Sequence, residues 1–187
     1  MTLQRGCSLA ITIYMITIFT DNCNPISQIL YDHTISDLQL HQLVCSCGCS
    51  ASLSIHGYYN RGIKVEDSLV SLRICRVKCA VCKTTHALLL SSIVPYSQIS
   101  LSEQVRIISC YECSEDFSSI MNHHPAIDES NIRHVIRQYL CHWLERLLAV
   151  SLVLSTSCHF ISQCFLCFNR QFMQIKRTPN ILFLKPT

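Results

Sequence analysis

The sequence predicts an α+β protein: a small β-hairpin unit clamped by cysteines, followed by a helix-turn-helix-like helical unit. Three observations predict it. Cysteines cluster at 45–49 and return as a pair at 79 and 82. Between them, apolar and polar residues alternate with the period of two that marks half-buried strands. After Pro95 the apolar residues recur at helical spacing.

Composition bounds what the chain can be. Its 187 residues suit one ordinary domain or two small ones. With 49% apolar and 14% charged residues it can build a core. Only four glycines and five prolines argue for nearly continuous secondary structure. Four segments are expected: an N-terminal extension over 1–35, the cysteine-clamped unit over 36–96, the helical unit over 97–150 and a basic tail over 151–187.

In the extension, residues 8–19 are apolar, but a membrane span needs roughly twenty such residues. No small-residue cleavage site follows, and no apolar stretch precedes Cys7 as a lipobox would require. Their Ile, Thr and Tyr content favours a buried strand; Met15 also offers an alternative start. No membrane association and a cytoplasmic location are the expectation. The fourteen cysteines are then reduced thiols or metal ligands, not a disulfide framework.

Residues 32–43 read as a lead-in, with Ser36 or Asp37 capping a short helical turn. Residues 53–59 and 68–77 are the strand candidates. Val70, Leu72 and Ile74 alternate with Ser71, Arg73 and Cys75, and 60–62 and 66–68 carry turn residues. In the helical unit, Ser100 or Ser102 caps a helix through Val105, Ile107 and Ile108. Residues 116–122 give a second, short helix, which His124–Pro125 breaks. Asp128, Glu129 and Ser130 open a third with acids matching its dipole, and its apolar face runs from Ile132 to Leu148.

The chemistry concentrates in Cys45-Ser-Cys47-Gly-Cys49 and Cys79-Ala-Val-Cys82. Zinc takes four tetrahedral ligands, and a zinc ribbon supplies them from two tight turns joined by a hairpin. The second pair is a plain C-x-x-C. The first offers three cysteines for two places: Cys45 and Cys47 are favoured, with Cys49 as the alternate. Zn2+ is therefore the expected cofactor. His86, just beyond the second turn, could substitute as a ligand but reads first as a surface or hydrogen-bonding residue. His56-Gly57-Tyr58-Tyr59 lies on the hairpin, where its tyrosines cover a small core or stack on bases. Cys110 and Cys113, and the looser group of Cys158, Cys164, Cys167 and His159, lack a matching second pair and read as packing thiols, with a second metal site as the lesser alternative.

Charge is uneven. Residues 45–96 carry Arg61, Lys64, Arg73, Arg76, Lys78 and Lys83 against Glu66 and Asp67, and no acid follows Arg146. Such basic blocks attract phosphate backbones. The expected contacts to DNA are Arg61, Lys64, Arg73, Arg76 and Lys78 on the hairpin, Arg133 and Arg137 on the third helix, and Arg170, Lys176 and Arg177 in the tail. On a recognition helix, such arginines read guanine from the major groove. Catalysis is not expected. No G-x-S-x-G, P-loop or H-E-x-x-H is present, the acids are few, and four thiolates leave a metal no open position.

The run from Cys45 to Tyr96 resembles the N-terminal zinc ribbon of bacterial transposases of the ISL3 type. It resembles more closely a family of uncharacterised bacterial proteins with a domain of unknown function. The likeness rests on His56-Gly57-Tyr58, Arg76-Val77, Cys79 and Cys82, 85–89 (THALL), 94–96 (VPY) and the C-terminal run FNRQFMQIKRTPNILFLKPT, and covers residues 36–187. It implies a zinc-binding, DNA-associated protein of mobile-element ancestry in a bacterial cytoplasm. The first knuckle is C-x-C where the transposases have C-x-x-C, and their catalytic domain has no counterpart here. Two other readings stay open: a zinc-stapled structural or protein-interaction module, and a degenerate transposase remnant.

Overall fold

The computed structural model describes residues 14–18, 20 and 26–143. Its elements run β1 (Tyr14–Ile18), α1 (Gln28–Ser36), a 3-10 turn (Leu40–Gln42), β2 (Leu53–Val65), β3 (Ser68–Cys79), β4 (Thr85–Leu90), α2 (Leu101–Glu112), α3 (Phe117–His123) and α4 (Glu129–Gln138), which passes into a π-helical turn (Tyr139–Trp143). The class is α+β, as the sequence predicts. Among the described residues, no helix is long and apolar enough to cross a membrane.

One four-stranded sheet has the order β1-β4-β3-β2. The β2–β3 hairpin is longer than the alternation predicts. Residues 60–62 are not a turn: the strand runs on to Val65, and Glu66, at φ 50°, turns the chain. The Arg61↔Leu72, Gly62↔Ser71 and Ile63↔Val70 pairs carry the ladder through that stretch. The register slips between Ile55 and Gly57, leaving His56 as the extra residue of a bulge. Gly57 sits there at φ 153°, a conformation that other side chains rarely adopt.

β4 was not expected as a strand. From His86 to Leu90 every residue is buried, so it shows none of the alternation that flags a half-exposed strand. β1, drawn from the predicted apolar segment, pairs parallel to it from Tyr14↔His86 to Ile18↔Leu90. Residues 8–13 and 19 of that segment lie outside the described residues.

The helix ahead of the hairpin also differs from expectation. It precedes Ser36 instead of following it, because Ser27 is its cap and accepts from the Leu30 amide at 3.2 Å. Asp37 closes its far end. This helix completes the sheet where β3 and β4 part. The Tyr31 hydroxyl accepts from the Cys75 amide at 2.8 Å and donates to the Leu88 carbonyl at 2.9 Å. One turn earlier, Gln28 Oε1 takes the Arg73 amide at 2.7 Å. Fully buried Tyr31 thus stands in for a missing ladder rung, and burial pushes its phenol well above the ordinary range.

The helices follow the predicted succession. Ser100, not Ser102, caps α2, accepting from the Glu103 amide at 3.2 Å; Asp116 caps α3. Ile107, Ile108, Ile120, Ile132, Val135, Ile136 and Tyr139 pack as one core, separate from the sheet core of Tyr31, Leu72, Ile74, Val77 and 87–90. Glu103 is buried in the helical unit and holds His124 Nδ1 and Arg106 Nη1, each at 2.7 Å. Leu140, assigned to the apolar face of the third helix, is exposed. Residues 144–148 of that expected helix lie outside the described residues.

Candidate metal centre

Two tight turns meet at one end of the sheet. The first precedes β2. There the Gly48 amide bonds the Cys45 carbonyl at 2.8 Å, the Cys45 amide bonds the Cys49 carbonyl at 2.9 Å, and Val44 bridges Ser50. Gly48 takes φ 86°, a left-handed conformation that glycine adopts without a Cβ clash. The second turn joins β3 to β4. The Cys79 amide bonds the Thr84 carbonyl at 2.9 Å, the Lys83 amide bonds the Cys79 carbonyl at 3.1 Å, and Lys83 supplies the left-handed residue at φ 62°. The Ala80 amide bonds the Ser52 carbonyl at 2.8 Å and locks the two turns together.

The outcome is a cluster of four sulfurs, from Cys45, Cys47, Cys79 and Cys82, all within 4.8 Å of one another. Cys45 Sγ lies 3.5 Å from Cys82 Sγ, and Cys47 Sγ 3.9 Å from Cys79 Sγ. Four thiolates around one zinc at a bond length of about 2.3 Å would stand about 3.8 Å apart. Cys45 and Cys79 face inward and are buried; Cys47 and Cys82 are exposed. Cys49 is not one of the four; its carbonyl closes the first turn.

The backbone is arranged for thiolates. The Cys47 amide points to the Cys45 sulfur, but burial and the sulfurs of Cys47, Cys82 and Cys79 outweigh it and push that thiol up to about 11. Cys47 also moves up: its bonds from the Cys49 amide and the Cys45 sulfur are outweighed by burial and by the sulfurs of Cys82 and Cys49. In the second turn, the Ser52 hydroxyl and the Cys82 and Val81 amides hold Cys79 down to about 6. The Thr84 hydroxyl and amide lower Cys82. Four crowded sulfurs cannot all ionise without a counter-charge, so two rise while two fall. The cluster can hold a metal ion.

Two supporting residues escaped the sequence reading: Ser52 Oγ lies 3.3 Å from Cys79 Sγ, and Thr84 serves Cys82. Of the readings offered for His86, the hydrogen-bonding one holds and the surface one does not: it is buried, with Nε2 3.1 Å from Cys45 Sγ, and burial lowers its pKa. Serine and threonine within a few positions of a C-x-x-C turn are a weak signal. His86 becomes legible only once β4 is recognised, since its pairing with Val77 aims it at the first turn.

The basic residues do not form one stripe. Alternation along β3 and the Arg61↔Leu72 register put Arg61, Arg76 and Lys78 on one face of the hairpin and Arg73 on the other. Arg61 is committed internally, donating to the carbonyls of Val94 (2.7 Å) and Ser97 (2.5 Å). Half-buried Lys64 pairs with Asp128 at 2.9 Å. Arg73 is exposed and stacks on Tyr58 at 4.1 Å, and Arg76 lies 5.9 Å from the Tyr59 ring. Arg133 pairs with Glu129 at 2.7 Å and stacks on Phe117 at 4.1 Å. With Arg137 it borders a groove of about 450 Å³ that also touches Tyr111 and Leu140. Arg170, Lys176 and Arg177, and the group of Cys158, Cys164, Cys167 and His159, lie outside the described residues.

Residues 45–135 match the family model described as Domain of unknown function (DUF6431). The match starts on Cys45 and ends within α4, so it takes in the cysteine cluster and most of the helical core. No curated protein and no solved structure matches the chain.

Proposed function

We propose that this chain is a zinc-ribbon DNA-binding protein of transposase-related ancestry, not catalytic by itself. Cys45, Cys47, Cys79 and Cys82 hold one Zn2+, which fixes the root of the β2–β3 hairpin. The observation carrying this reading is the spacing of the four sulfurs: all lie within 4.8 Å of one another, and the Cys45–Cys82 and Cys47–Cys79 separations bracket the tetrahedral value. A metal with four thiolate ligands has no position left for water or substrate, so its role is to hold structure.

DNA contact falls to basic groups that remain presented to solvent. These are Arg73 on its Tyr58 platform, Lys78 beside the second turn, and Arg133 and Arg137 on α4, read as the recognition helix of a helix-turn-helix-like unit. The Arg73–Tyr58 stack suits a flattened guanidinium against a base or phosphate. Arg61 and Lys64 drop out of the contact set, because their charges are spent on carbonyls and on Asp128.

That same expenditure favours a second reading, a zinc-stapled module that docks on another protein. Fluorescence anisotropy of the purified full chain on labelled duplex DNA separates the two. DNA binding predicts micromolar or tighter affinity at 50 mM salt, falling steeply with added salt. It also predicts a several-fold loss for an Arg73→Ala, Arg137→Ala double variant. No binding at low salt would leave the protein-docking reading standing.

A further inference from the structure

A second group of metal-ligating side chains lies in the helical unit, away from the cysteine cluster. Cys110 is in the last turn of α2. Beyond it Ser114 adopts φ 59°, and the chain closes the helix with two reversed bonds. The Ser114 amide bonds the Tyr111 carbonyl at 3.1 Å, and the Glu115 amide bonds the Cys110 carbonyl at 3.2 Å. This Schellman closure folds Glu115 back against the turn that carries Cys110. Asp116 then caps α3, whose last residue, His123, returns to the same spot. His123 Nδ1 lies 3.2 Å from Glu115 Oε2.

The Cys110 sulfur, a Glu115 oxygen and a His123 nitrogen all lie within 4.8 Å of one another. Nitrogen and oxygen ligands on one tetrahedral zinc, each at about 2.0–2.1 Å, would stand about 3.3 Å apart, close to the His123–Glu115 separation. The Ser119 hydroxyl donates to the same Glu115 oxygen at 3.3 Å, the kind of outer hydrogen bond that orients a ligating carboxylate. The Cys110 thiol, at the edge of the helical core, reaches the same Glu115 carboxylate, so sulfur, oxygen and nitrogen converge on one point.

We propose that Cys110, Glu115 and His123 form a second metal site, taking one divalent ion of the zinc class. Thiolate, imidazole and carboxylate together suit zinc or cobalt and disfavour calcium and magnesium, which want oxygen alone. Three protein ligands leave a fourth position for water or an outside group. Cys110 and Glu115 are half-buried and His123 is exposed, so that position opens toward solvent. The site therefore differs in kind from the closed cluster of four thiolates.

Metal content of the full chain, purified with zinc and then with cobalt, tests this. The expected result is two equivalents per chain. His123→Asn, at an exposed position that need not disturb folding, and Cys110→Ser should each reduce the content to one. Both should retain the intense sulfur-to-cobalt absorption of the four-thiolate cluster, which a Cys79→Ser, Cys82→Ser variant should lose instead. A single equivalent lost with His123→Asn would support this site and sink the ribbon. A single equivalent lost only with the Cys79 and Cys82 changes would overturn this site, as would a content that neither His123→Asn nor Glu115→Gln alters.

Discussion

The sheet half and the helical half of this molecule reach closure by different routes. The helical half has a continuous aliphatic core, capped helix starts and a buried carboxylate holding one helix to the next. The sheet half buries Tyr31 and a run of leucines, but its far end is two short turns with four sulfurs between them. Where apolar side chains are long enough to meet, packing suffices. Where two turns of small and polar residues meet, four sulfurs stand in place of an apolar core, and they can hold a metal ion.

The largest expected effect breaks this comparison at the turns. Cys79→Ser with Cys82→Ser should abolish zinc retention and remove stabilisation on the order of 10 kcal/mol at the sheet end. Chelation of the unaltered protein should act the same way. Hydrogen exchange is the measurement: protection should be lost first in β2, β3 and β4, and later in α2 and α4. Uniform loss across both halves would mean that they do not differ as described. Next comes Glu103→Ala, which strands buried His124 and should cost about 3–5 kcal/mol in denaturant unfolding while leaving metal content untouched.

Tyr31→Phe is a finer probe. It leaves the ring in place but orphans the Cys75 amide and the Leu88 carbonyl, for about 1–3 kcal/mol by the same unfolding measurement. Ser100→Ala, at the cap of α2, should cost about 1 kcal/mol. The smallest effect concerns the joint between the halves. Bonding to Lys64 lowers the Asp128 carboxyl, so its contribution is present above the ordinary carboxylate pKa and fades as the pH falls through the depressed value. Lys64→Met should bring that carboxyl back toward its ordinary value in an NMR titration, with little change in stability near neutral pH.

The parts legible in the sequence were those with a local signature. The C-x-C and C-x-x-C spacings marked the two turns, alternation marked β3, a serine cap marked α2, and the break at His124–Pro125 marked the end of α3. What escaped was non-local. β4 is buried from His86 onward and carries no alternation, so neither the strand nor the contact of His86 with Cys45 could be read from pattern. The turn expected at 60–62 failed because Gly62 lies in a strand, with Leu69 packed against it at 3.1 Å from where a Cβ would stand. Cys45 and Cys47 were favoured over Cys49 from the sequence, and these two are the ones that stand with Cys79 and Cys82. The neighbours of Cys110 were hidden, since a helix-closing reversal, not a sequence spacing, brings Glu115 and His123 to it.

The parallel seating of β1 on β4 has a consequence for synthesis. Thr20 and Ser91 bond across a gap of 71 positions, whereas β2 and β3 need only the two-residue reversal at Glu66 and Asp67 to find each other. Joining distant segments costs more loop entropy than joining adjacent ones. β1 leaves the ribosome before β4 and must therefore wait, unpaired, until the leucines of β4 emerge. In pulse-labelled refolding, amides 14–18 should gain protection after those of the hairpin; simultaneous protection would rule out that delay.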